Sequence, residues 1–230
     1  MFENSLDMKQ FIPLLMFVIL SCNSSRNVDE VLKDVWKKDQ DIRYTMMALT
    51  KAVTVEGRAD LIDSLLSASE QMEEIDANNM QVVDKILNKG LPADLTDESY
   101  KTIWIVIDHS TLEKQLKYLP VIEKMALSGK VDMDEYAVLY DRILMKQNLP
   151  QRYGTQSVQF GNQDSVSLYI WPVENHNSLD SIRESVGMST IDEYLKDLSE
   201  ATGVEAKYDY TLSIDQINQL RGNDTHLQEN

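Results

Sequence analysis

Seven polar side chains and one hexapeptide hold the groups in this sequence that could do chemistry. They are Asp39, Gln40, Arg43, Asp108, His109, Asp141 and Arg142, with residues 151–156 reading QRYGTQ. His109 supplies an imidazole that titrates near neutral pH, the aspartates can orient it, and the arginines can hold an anion. Gln151, Arg152, Tyr153, Thr155 and Gln156 crowd hydrogen-bonding side chains around Gly154, which would let a backbone approach a ligand closely. Such a set suits general acid/base work or the binding of a small polar or anionic ligand. It also suits a structural network, because buried Arg, Gln and Asp satisfy one another without a ligand.

What is missing narrows the chemistry. Of the three histidines, His176 and His226 fall in a loop and in the tail, and there is no HExxH pair, so no zinc site or other metal is expected. No GxSxG elbow, Gly-rich phosphate loop or GxGxxG fingerprint occurs, and no cofactor is expected. With 38 Asp+Glu against 22 Lys+Arg the formal charge is −16, which repels phosphate backbones and argues against nucleic acid as a partner.

Helical spacing decides which of these groups point inward. From Val28 the positions Val28, Leu32, Val35, Asp39, Ile42, Met46 and Leu49 recur three and four apart, so Asp39 sits on an apolar face with Arg43 one turn on. A charge there must be paired. A second helical stretch over about 58–88 is expected to break near residues 76–79, and Gly90 and Pro92 stop it. A third, over about 97–116, carries the run Ile103-Trp104-Ile105-Val106-Ile107, apolar all round, and so reads as the central helix with His109 turned into the core or a pocket. Pro120 is expected to begin another helix, and Asp141 lines up with Ala137 and Leu144 on the one after. Alternation over 155–160 and 165–171 then predicts a β-hairpin, followed by helices over about 179–186 and 189–202. The expected fold is mainly α: a single-domain helical bundle with one small β-hairpin at about 155–171. Residues 28–203 form the domain, and 204–230 a weakly structured tail.

The N-terminus reads as an address. Residues 11–20 (FIPLLMFVIL) are apolar, with Lys9 before them and Ser21-Cys22 after. Ten residues make about 15 Å of helix, half of what crosses a bilayer. Met8 reads as the true start, and residues 1–21 as a signal peptide. The run Ile19-Leu20-Ser21-Cys22 resembles a bacterial lipobox. Cys22, the single cysteine in the chain, would then be lipidated and residues 23–27 would be a polar tether. The bland alternative is a cleaved signal with an incidental cysteine. The expected partner is a membrane held through lipid on Cys22, and the expected location is the extracytoplasmic side of a bacterial envelope, at the outer membrane.

The hexapeptide together with Trp36, Asp39-Gln40, Arg43, Asp76, Asn79, Gly90-Leu91-Pro92, Asp108-His109, Asp141-Arg142, residues 172–175 (PVEN), Arg183, Gly187 and Tyr194 resembles an uncharacterised bacterial family, domain-of-unknown-function family 6624. The sequence departs from that family's usual residues at Leu91, Asp108 and Asn175. The resemblance implies no known activity. Three readings stand at this stage: a ligand pocket, a hydrolase with His109 as general base and Arg43 or Arg152 stabilising an anion, and a scaffold for a protein partner.

Overall fold

The computed structural model describes residues 27–162 and 165–225; the expected signal, Cys22 and all of the expected tether but Asn27 lie outside them. Helix α1 (Val28–Thr54) runs antiparallel to α2 (Ile62–Leu87), and α3 (Asp97–Asp108) lies against both. Next come α4 (Leu112–Leu127) and α5 (Met133–Lys146), then the hairpin β1 (Ser157–Asn162) and β2 (Ser165–Ile170). A short α6 (Leu179–Glu184) and α7 (Ile191–Thr202) lead to β3 (Glu205–Lys207) and α8 (Ile214–Thr225). The fold is mainly α with a small three-stranded sheet, in one compact region.

Local chemistry explains where the helices begin. Asn27 caps α1, and Asp29 and Glu30 complement its positive end. Thr96 accepts from the Ser99 N–H at the start of α3, while Asp29 of α1 takes hydrogen bonds from Thr96 and Ser99 and so fixes the two helix starts together. Capping boxes start α5 (Asp132 with Glu135) and α7 (Thr190 with Glu193).

The main core is built on α3, whose Tyr100, Ile103, Val106 and Ile107 are buried against Leu32 and Val35 of α1, Val83 of α2 and Ile122 of α4. Burial on α1 stops at Ile42; further along, Tyr44, Met47 and Val55 are exposed. Two smaller cores flank the sheet: Val158, Phe160, Trp171 and Ile217 on one side, and Ile170, Leu179 and Ile191 on the other.

Four elements differ from the sequence expectation. Helix α2 is unbroken through residues 76–79, because burial of Asn79 and Met80 outweighs the weak helix propensity of the Asp-Ala-Asn-Asn stretch. The expected third helix is two, because Ser110 donates to the Ile107 carbonyl at 2.6 Å and Thr111 opens α4 as its N-cap. Pro120 lies inside α4 rather than at its start. The C-terminal stretch is ordered as far as Thr225: β3 pairs parallel with β2, and Ile217 of α8 is fully buried.

Candidate functional site

The polar residues singled out by sequence fall into two hydrogen-bonded sets, joined by one ion pair. The first set lies where α1, α2 and the end of α3 meet. Asp39 is fully buried, and its Oδ1 lies 2.9 Å from Nδ1 of His109. Gln40 Nε2 donates to the other carboxylate oxygen at 2.8 Å. The Arg43 guanidinium spans two carboxylates: its Nη2 donates to both oxygens of Asp76 at 2.9 and 3.0 Å, and its Nη1 lies 3.3 Å from Asp39 Oδ1. Burial alone would push Asp39 up, but the His109 hydrogen bond and charge, with Arg43 and Gln40, hold its carboxyl below the usual range. Asp76 goes the other way, raised by burial and by the charge of Asp39 against the pull of Arg43. Two neighbouring carboxylates are thus driven apart in acidity.

This set opens on a cleft of about 500 Å³ whose lining includes Glu73, Asp76, Asp84, His109, Thr111 and Lys114. Asp84 is held by Lys114, Lys117 and Tyr118. A second hollow of similar size, between the starts of α1 and α3 (Asp29, Lys33, Trp36, Ser99), is mostly apolar and holds no comparable cluster.

The second set is Asp141 and the hexapeptide. Fully buried on α5, the Asp141 carboxylate accepts from the backbone N–H groups of Arg152 (2.8 Å), Tyr153 (3.1 Å) and Thr155 (3.1 Å), and from the Thr155 hydroxyl (3.0 Å). Burial pushes this carboxyl up while those donors pull against it. Gln151 donates to the carbonyls of Gln156 and Trp171 at 3.0 and 2.6 Å and accepts from the Gln156 N–H at 2.8 Å. Gln156 reaches the Val138 carbonyl at 3.3 Å. From the far side, buried Arg183 donates to the Tyr153 carbonyl at 2.7 Å, and the Tyr194 hydroxyl to that of Thr155 at 2.9 Å. Gly154 has φ +71°, and a Cβ there would meet Ile191 at 3.4 Å and Leu179 at 3.5 Å. Those are ordinary contact distances, so what the glycine supplies is the left-handed backbone turn of the loop. The loop is a latch: the polar groups of Gln151, Thr155 and Gln156 are spent inside the protein.

Arg142 joins the sets by an ion pair with buried Asp108 at 2.8 Å, one residue from Asp141 at one end and from His109 at the other. Arg152 is exposed, with its guanidinium 5.8 Å from the Tyr153 ring centre. His176 stacks on Tyr210, outside both sets.

A model of a family of unknown function, DUF6624, matches residues 32–207. The chain belongs to this family. No curated protein and no solved structure matches it. The matched DUF6624 segment spans both polar sets and every element from α1 to β3.

Sequence reasoning left two DUF6624 positions without a role. Asp76 was read as part of a helix break, and Asn79 as its neighbour, yet Asp76 belongs to the first set and Asn79 is buried one turn further along the same helix. The available signal was Asn79, which recurs four residues after Ile75 and four before Val83 on the apolar face of α2, as Asp39 does on α1. Arg183 and Tyr194 entered only through the family resemblance and prove to close the latch.

Proposed function

We propose that this protein is a lipid-anchored component of the bacterial cell envelope, held at the outer membrane through Cys22, whose DUF6624 domain binds a small polar ligand beside His109. The anchor rests on the lone cysteine at the end of a short apolar signal core. One observation carries the ligand site: a fully buried carboxylate is hydrogen-bonded to Nδ1 of a histidine that itself lines a cleft. A carboxylate on Nδ1 fixes that nitrogen as the protonated one, leaving Nε2 able to accept a proton or hydrogen bond. The lining is acidic, and Arg43 is committed to Asp39 and Asp76. The ligand is therefore better a neutral polar or cationic group than the anion suggested by counting arginines.

The same dyad favours a second reading, a hydrolase with His109 as general base, its ring oriented by Asp39. Both readings make His109 the working group.

Native purification of the full chain in detergent, followed by denaturation and mass spectrometry, tests the site. The expected result is a small molecule released from the native chain and lost from His109→Ala and Asp76→Asn chains whose melting temperatures show them folded. Identical released material from all three would remove the reading.

A further inference from the structure

Asp39, Asp76 and His109 do more than share hydrogen bonds. One oxygen from each aspartate and one imidazole nitrogen lie within 4.8 Å of one another, on three different helical segments. We infer that this cluster takes one divalent transition-metal ion, in exchange for the guanidinium of Arg43. The inference rests on the cluster being the working site proposed above.

The donor set favours this class of ion. Two carboxylates with an imidazole suit Zn²⁺ and its first-row neighbours, whereas Ca²⁺ and Mg²⁺ prefer oxygen ligands alone. The spacing is within reach. Tetrahedral donors about 2.1 Å from an ion stand about 3.4 Å apart. His109 Nδ1 and Asp39 Oδ1 are 2.9 Å apart, and the ion would replace the proton between them, leaving the imidazole N–H on Nε2. All three donors lie within 4.8 Å, so Asp76 would close by about 1.4 Å at most. Counting histidines alone, as the sequence reading did, misses a site of this composition.

Arg43 marks where the charge is wanted. Its guanidinium contacts Asp39 and Asp76, the same two carboxylates the ion would bridge. Its side chain keeps about a fifth of its surface exposed, so it can withdraw toward solvent. The cleft beside His109 and Asp76 offers room for a further ligand such as water.

A buried donor one turn along the same helix from Asp76 also lacks a partner. Asn79 is 3% exposed, and its Nδ2 has no hydrogen-bond partner among the described residues. The antiparallel pairing of Arg43 with Asp76 puts Asn79, about one turn further along α2, level with Asp39 and Gln40 on α1. A buried amide donor without an acceptor is costly, and the oxygen of a metal-bound water would satisfy it.

The test is calorimetric titration of the chelator-treated full chain in detergent with Zn²⁺, with Ca²⁺ and Mg²⁺ as controls. The expected result is one Zn²⁺ per chain, with affinity falling roughly 100-fold in Asp76→Asn and in His109→Gln, at or beyond the range that outer-shell changes cost. Arg43→Gln should bind more tightly, because it removes the competing cation, and His226→Ala should change nothing. Co²⁺ in place of Zn²⁺ should give a visible spectrum that the same two variants abolish, and circular dichroism shows that each variant is folded. No uptake, or uptake that survives both substitutions, overturns the inference. A chain that releases a His109-dependent molecule yet takes up no zinc sinks the metal and leaves the ligand site standing. Zinc uptake with no released molecule does the reverse.

Discussion

His109 Nδ1 lies 2.9 Å from Asp39 Oδ1, and the two differ sharply in setting: the carboxylate is sealed within the helices and the imidazole keeps 19% of its side chain exposed. The buried partner is therefore the costlier one to disturb. Asp39→Ala strands Arg43, Gln40 and His109 around a void and should cost about 3 kcal/mol or more. His109→Ala leaves Asp39 with Gln40 and Arg43 and should cost about 1–2 kcal/mol. Urea denaturation of the two variants measures the order, and a larger loss for His109 would assign the histidine a structural role.

Asp141 should be worth more to stability than its single charge suggests, since three backbone N–H groups of the hexapeptide have it as acceptor. Asp141→Ala is expected to cost about 4 kcal/mol, because those donors lose their partner in a buried loop. Hydrogen exchange should rise specifically at residues 151–156. Unchanged protection there would mean the loop is held by Arg183 and Gln151 instead.

Acid stability has a contribution from Asp84. Burial acts to raise its carboxyl, but hydrogen bonds from Lys114, Tyr118 and Lys117 prevail and bring it down to about 2. A lowered folded-state value stabilises the protein above the ordinary carboxylate range and is lost as pH falls through the folded value. Asp84→Asn should therefore be less stable than the native chain at neutral pH, with the gap closing between about pH 4 and pH 2. Thermal melts at stepped pH follow the gap; a gap constant down to pH 2 would refute the assignment.

Lipid on Cys22 should be visible directly. Metabolic labelling with an alkyne fatty acid is expected to mark the native chain, and Cys22→Ser should lose the label and leave the membrane fraction. Label retained after that substitution would place the modification elsewhere.

Two of the buried aspartates were legible because a carboxylate inside three-and-four apolar spacing has to be paired. Asp39 and Asp141 were found on that ground alone. Arg43, one turn on from Asp39, was legible as its partner, and the structure pairs them. The rest was not: Asp76, the second carboxylate on Arg43, comes from another helix, and Asp141 is satisfied by backbone N–H groups that any sequence would possess. The hexapeptide was rightly seen as dense in hydrogen-bonding groups, but side-chain type cannot say whether they turn toward a ligand or toward Asp141, Arg183 and Trp171. The hairpin was readable from alternation, whereas β3 is three residues long and depends on β2 for its existence. The turn at Ser110-Thr111 was missed because apolar spacing continues across it; the break lies in the extended backbone of Thr111, with the Ser110 hydroxyl on the Ile107 carbonyl.

With Cys22 lipidated as proposed, the start of α1 would set a leash on the whole molecule. Asp39 lies twelve residues beyond Asn27, about 18 Å along a helix, and the five residues between Cys22 and that helix reach at most about 17 Å. With lipid on Cys22, the His109 cleft patrols a shell no deeper than about 35 Å from the headgroups. Whatever enters it must be met within that layer, so the anchor would select ligands by where they are found as well as by their chemistry.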